Sequence, residues 1–156
     1  MLVDEGWADT TAGAALTSML LIGAVAQPVG GRIYDRFGGR RLFIGATLGT
    51  IAAILVFSQT SGAISLVAVG AIAMFGFGLF PVSMAMASKI GGETRTGVSV
   101  GVVFGVTGLL GATARPAVGA LAEALGDIRL ALSWTVLLAV AALPFAIRLE
   151  ADESAL

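Results

Sequence analysis

Residues 31–42 read Gly-Arg-Ile-Tyr-Asp-Arg-Phe-Gly-Gly-Arg-Arg-Leu, and this charged segment lies between two long runs that carry no charge. The first run extends over residues 10–31 and the second over residues 42–88. About 20 apolar residues in a helix are enough to cross the ~30 Å hydrocarbon layer of a bilayer. The segment therefore predicts a polar turn between membrane-spanning helices, and the chain is predicted to be an all-α integral membrane protein.

The composition excludes most soluble functions. Of the 156 residues, 57% are apolar and only 12% are charged, about half the charged share of a soluble domain. The absence of Cys and His excludes disulfides, Cys/His zinc sites, thiol nucleophiles and Ser-His-Asp chemistry. A net charge of −1 gives no electrostatic reason to bind nucleic acid. We therefore predict no enzyme, no cofactor and no metal site, and the lipid bilayer as the main partner.

Three further polar or turn-forming segments divide the chain. The second uncharged run is too long for one span and breaks at Ser58–Gly62, a turn-forming cluster. Residues 89–95 carry both signs of charge, and residues 126–129 read Gly-Asp-Ile-Arg. Five membrane spans are predicted, followed by an acidic tail at 149–156; the spans lie at about 11–31, 42–58, 63–88, 96–125 and 130–148.

The distribution of Lys and Arg predicts the orientation. Seven of the nine basic residues lie in the first and third turns or just after the last span. Because basic loops stay in the cytoplasm, we predict a multi-pass cell-membrane protein with its N-terminus outside and its C-terminus, with the acidic tail, in the cytoplasm. A first helix that enters from outside suggests that the chain begins partway through a longer ancestral sequence.

Residues 31–42 resemble the signature loop of the major facilitator superfamily, in which Gly, Leu, a small residue, Asp, Arg, Gly and basic residues occur in fixed order. Ile33 stands for Leu, while Tyr34 replaces the small residue and Gly39 displaces the basic pair by one. The residues that match are Gly31, Asp35, Arg36, Gly38, Arg40 and Arg41. The resemblance implies a transporter fold of twelve helices.

The five spans and short tail resemble helices 8–12 of that fold, a C-terminal half that lacks its first helix. Helices 2–6 are the weaker alternative, because a long cytoplasmic loop normally follows them. On this interpretation the chain is one partial half-bundle. Its partner is a missing N-terminal half or a second copy.

In the family the signature loop is a conformational latch that holds the inward face closed. The alternative is that its arginines only fix the topology. Asp35 lies at a helix C-terminus, where the helix dipole disfavours an anion. It therefore needs a cation or the N-terminus of another helix as its partner.

Arg115 is the candidate for a solute cavity, because a charge at membrane depth usually faces protein or a water-filled cavity. Pro116 follows it and permits a kink. The alternative is that Arg115 reaches the outer interface or pairs with Glu123 or Asp127.

A helix-packing face is predicted on the fourth span, where small residues let helix backbones approach. The alternative is a merely glycine-rich sequence. The residues of this face are Gly97, Gly101, Gly105, Gly108, Gly111 and Pro116.

Two functions remain open at this point. The first is secondary transport of an unknown small solute by alternating access, with this chain as part of the transporter. The second is a small membrane-intrinsic interaction protein, or a non-functional remnant, that has no transport of its own.

Overall fold

A computed structural model describes residues 9–148, and the secondary structure in that range is helical. The predicted acidic tail at 149–156 lies outside the described residues. The six helices are α1 Asp9–Phe37, α2 Gly39–Gln59, α3 Ala63–Gly78, α4 Phe80–Leu125, α5 Ile128–Ser133 and α6 Thr135–Arg148.

Four segments of the described range are long and apolar enough to cross a membrane. Three of them, Leu16–Phe37, Gly39–Gln59 and Ile128–Arg148, have 21 or 22 residues, the length of a single crossing. The fourth, Ala63–Leu125, has 63 residues. As one straight helix it would measure roughly 95 Å, about three times the hydrocarbon thickness.

This long segment does not run straight, because α4 folds back on itself at Gly92. Gly92 has φ 58° and ψ −170° inside an otherwise helical element, a conformation that side chains with a Cβ rarely adopt. The rings of Phe80 and Phe104 meet edge-to-face with centroids 5.5 Å apart, although 24 residues of straight helix would separate them by about 36 Å. We call residues 80–91 and 93–125 the first and second arms of α4.

The interior of the bundle is built from small side chains. Eight of the ten buried apolar residues in the described range are alanines, and the other two are Phe57 and Val82. Large side chains point outward instead; Leu21 is 63% exposed and Val67 is 73% exposed. This arrangement is typical of helices packed in lipid, where close backbone contact rather than burial of large apolar groups drives association.

The centre of the bundle is α3, which packs against α1 and α2, while α2 also packs against α6. Glycines permit the closest of these contacts. A Cβ on Gly30 would collide with the backbone carbonyl of Gly78, and one on Gly49 would lie 2.6 Å from the ring of Phe75.

Arg129 joins two turns at one end of the bundle. Gly126 has φ 68° and ends α4, and the Asp127 carboxylate accepts a hydrogen bond of 2.7 Å from the Arg129 backbone N–H. The Arg129 guanidinium donates to the carbonyls of Phe57, at 3.2 Å, and Thr60. It therefore compensates the negative end of the α2 dipole and holds the α4–α5 turn beside the α2–α3 turn.

Two predicted spans, the third at 63–88 and the fifth at 130–148, are interrupted at Leu79 and Trp134. Elsewhere the helices extend beyond the predicted spans. The polar loop expected at residues 89–95 is helical on both sides of Gly92, and α1 continues six residues beyond the predicted end of the first span. The reason is that hydropathy marks where charge begins, whereas Arg, Lys and Glu are good helix formers. The backbone therefore stays helical until a glycine with positive φ ends it.

Candidate functional site

The charged segment of residues 31–42 is two helix ends joined at one residue. Asp35 and Arg36 lie in the last turn of α1, and α2 begins at Gly39. Gly38 lies between them with φ 81°, so this one residue makes the polar turn that was predicted within residues 31–42. Gly39 is helical and buried, and a Cβ there would lie 3.1 Å from the ring of Tyr34.

The charged side chains of this segment are mostly exposed, including Asp35, Arg36 and Arg41. The Arg36 guanidinium lies 5.2 Å from the ring centroid of Phe37, a cation–π contact. Asp35 forms no ion pair with any side chain in the described range. The cation or helix N-terminus expected for Asp35 is therefore not supplied by this part of the chain.

Arg115 lies deep along the second arm of α4. Ten residues separate it from Leu125 at the end of the helix, which corresponds to about 15 Å. Arg129 holds that end beside the end of α2, and the 21 residues of α2 measure about 32 Å. Arg115 is therefore about half the length of α2 away from the nearer end of the bundle.

A shallow, open groove of about 420 Å³ lies beside Arg115 on one face of the second arm of α4, and its lining residues are exposed. Gly108 and Gly111 form its floor, since a Cβ on either would meet nothing within 4 Å. The Thr107 hydroxyl forms no hydrogen bond within the described range, whereas that of Thr113 donates to the Leu109 carbonyl at 3.0 Å. The complete lining consists of Phe104, Thr107, Gly108, Gly111, Ala112 and Arg115.

The alternatives weighed for Arg115 can be compared with this geometry. Glu123 is eight residues away, about 12 Å along the helix, and no described side chain forms an ion pair with Arg115. The site can therefore present an unpaired guanidinium, a hydroxyl and an aromatic ring to one ligand. Sequence reasoning missed Phe104 and Thr107, although their spacing to Gly111 and Arg115 puts all four near one helix face.

The predicted packing face is open in this structure. A Cβ placed on any of its five glycines would meet nothing within 4 Å, and Pro116 is exposed. Gly31 of the signature segment is also open, and α1 makes its close backbone contact one residue earlier, at Gly30. A packing role for this face stays a prediction; the glycines are Gly97, Gly101, Gly105, Gly108 and Gly111.

Comparison with known proteins gives a family match over nearly the whole chain. The sequence model of the Major Facilitator Superfamily matches residues 1–154. Two curated proteins, each named multidrug resistance protein B homolog, are 31% identical over 119 residues; they come from Mycobacterium tuberculosis strains CDC 1551 / Oshkosh and ATCC 25618 / H37Rv. The alignment covers 76% of this chain and 22% of each relative.

The chain thus spans about a fifth of the length of the curated relatives that it matches. No solved structure matches it.

Proposed function

The chain belongs to the major facilitator superfamily, and from that premise we propose that it is part of a secondary transporter that moves a small solute by alternating access. The family comprises membrane transporters rather than enzymes. The apolar helices are those of a multi-pass membrane protein, and the named relatives are multidrug resistance homologues.

The proposed arrangement has five spans, with the N-terminus outside and the C-terminus in the cytoplasm. Two observations support it. The fold-back of α4 at Gly92 gives the long segment Ala63–Leu125 two antiparallel parts, as two crossings would require, and Arg129 brings the turns before and after that segment together. Each reversal contains a glycine with positive φ, and these four are Gly38, Gly62, Gly92 and Gly126. The orientation is supported by the basic residues, which favour the cytoplasm.

The observation that carries the solute proposal is the unpaired guanidinium of Arg115 in its groove. Transporters of this kind bind solute near the bilayer midplane, between two repeats, and Arg115 is about half a bundle length from one end. A charge at that depth is costly unless it faces protein or a water-filled cavity. We assign Arg115 to the wall of the solute cavity, where it attracts an anionic group of the solute.

The other wall of this cavity comes from outside the five spans. Helices 8–12 of the family fold supply one side of a cavity that two repeats enclose. The remaining side is supplied by an N-terminal half of seven helices or by a second copy of this chain. The open glycines of the second α4 arm that lie outside the Arg115 groove are the surface that this partner covers; they are Gly97, Gly101 and Gly105.

The signature segment is proposed to act as the latch between conformations. Asp35 is exposed and without an ion pair in the described range, so a group of the other half can reach it in one state. A contact between Asp35 and the other half would stabilise the conformation in which the inward face is closed, and it would not affect helix insertion.

Efflux from cells tests these roles. The chain is expressed with a seven-helix first half of the same family, and export of carboxyfluorescein, an anion, is compared with export of ethidium, a cation. Arg115→Gln should lower carboxyfluorescein export about tenfold or more, because a hydrogen bond to a charged group contributes ~1.5–3 kcal/mol. Asp35→Asn should slow export of both probes at unchanged membrane abundance.

Arg148→Gln is the matched control, because Arg148 is an exposed arginine at the end of α6. The Arg148→Gln variant should export both probes at the rate of the parent. Unchanged carboxyfluorescein export by Arg115→Gln would contradict the cavity assignment, and unchanged export by Asp35→Asn would contradict the latch. Absence of any export by the co-expressed halves would favour an interaction protein without transport.

A further inference from the structure

A second concave surface lies away from Arg115, between α1, α2 and α3. Its volume is about 810 Å³, within the range of sites that hold small molecules. Every residue that lines it is apolar or glycine except Arg41. Representative lining residues are Leu21, Val29, Ile33, Gly45 and Met74.

The groove extends along α1. Its lining on α1 extends from Leu21 to Phe37, sixteen residues or about 24 Å of helix. One leaflet of the hydrocarbon layer is about 15 Å deep, so the groove can receive a linear chain over the full depth of a leaflet. Gly45 leaves space in its wall, because a Cβ there would meet nothing within 4 Å.

One end of this apolar groove is strongly basic. Arg41 lines it beside Phe37, and residues 32–41 contain four arginines and one carboxylate, Asp35, a local charge of 4 − 1 = +3. The Arg41 side chain is exposed. A guanidinium presents a planar pair of donors that matches a phosphate.

We propose that this groove binds one anionic phospholipid, with an acyl chain along α1 and the phosphate on Arg41. An apolar helix would fill the groove equally well but would give Arg41 no anion. A free phosphate would use Arg41 but leave the apolar length empty. The phospholipid satisfies both parts of the site, and its binding does not depend on transport.

Native mass spectrometry of the purified whole chain tests this proposal. Dioleoyl-phosphatidylglycerol is compared with dioleoyl-phosphatidylcholine, which has the same acyl chains and no net charge. We expect one phosphatidylglycerol per chain, retained at least tenfold more tightly than phosphatidylcholine. Arg41→Gln should abolish the difference between the two lipids, and Gly45→Leu should weaken binding of both because its side chain fills the groove.

Two controls use equivalent residues outside the groove. Gly101 also has open space at its Cβ position, so Gly101→Leu should leave lipid binding unchanged, as should Arg148→Gln. Equal retention of the two lipids by the parent chain would overturn the proposal. So would an Arg41→Gln variant that still prefers phosphatidylglycerol over phosphatidylcholine as strongly as the parent does. Dimers that replace the lipid adducts and disappear in Gly45→Leu would assign the groove to a second copy and overturn the lipid site.

Discussion

At the scale of single residues, the packing of this chain depends on which glycine of a pair faces its neighbour. Gly30 and Gly31 are adjacent in α1, yet only Gly30 meets another backbone, that of Gly78 in α3. The sequence motif drew attention to Gly31. It could not identify Gly30, because the choice depends on the rotation of α1 against a helix that is distant in sequence.

Alanine substitution at the two positions should separate these roles. Gly30→Ala should lower the free energy of unfolding by about 1–3 kcal/mol, because the added methyl forces α1 and α3 apart. Gly31→Ala should change it by less than about 0.5 kcal/mol. The measurement is an SDS titration of the protein in mixed micelles, followed by circular dichroism. Equal losses for the two variants would mean that the α1–α3 contact is not at Gly30.

At the scale of elements, the sequence predicted where the chain reverses better than it predicted helix lengths. The clusters at 58–62 and 126–129 contain turns in the structure, at residues 60–62 and 126–127. The segment at 89–95 reverses as well, but Gly92 alone makes the turn. Hydropathy locates the membrane boundary, whereas backbone hydrogen bonds continue past it. The fold-back of α4 was therefore foreseeable, but the pairing of Phe80 with Phe104 was not.

A cysteine pair tests the hairpin in α4, since the chain has no native Cys. A short bismaleimide should cross-link Phe80→Cys to Phe104→Cys within one chain, because the rings at these positions are in contact; mass spectrometry should find one linker that bridges both cysteines. Cysteines at positions 80 and 115 should instead each carry a separate linker, because Arg115 lies eleven residues, about 16 Å of helix, beyond Phe104. Two separate linkers on the 80/104 pair would contradict the fold-back of α4.

At the scale of the whole molecule, the proposed five spans would place the turns alternately on the two sides of the membrane. Composition and charge sufficed to predict a helical membrane protein, because a bilayer restricts spanning structures so strongly, whereas the family was predicted from the resemblance of residues 31–42 to its signature loop. The groove around Arg115 could not be foreseen in full. Two of its lining residues, Gly108 and Gly111, had been predicted to pack against another helix. Its distance from the end of the bundle is known only through the contact between Arg129 and the end of α2.

Sidedness of three engineered cysteines is the most direct test of this arrangement. Ser61→Cys and Glu123→Cys lie near the two turns that Arg129 holds together, while Thr94→Cys lies beside the hairpin at Gly92. In intact cells, a membrane-impermeant maleimide should label positions 61 and 123, and it should label position 94 only after the membrane is permeabilised. Labelling of positions 61 and 123 from opposite sides would mean that residues 63–125 cross once, and it would contradict the five-span arrangement.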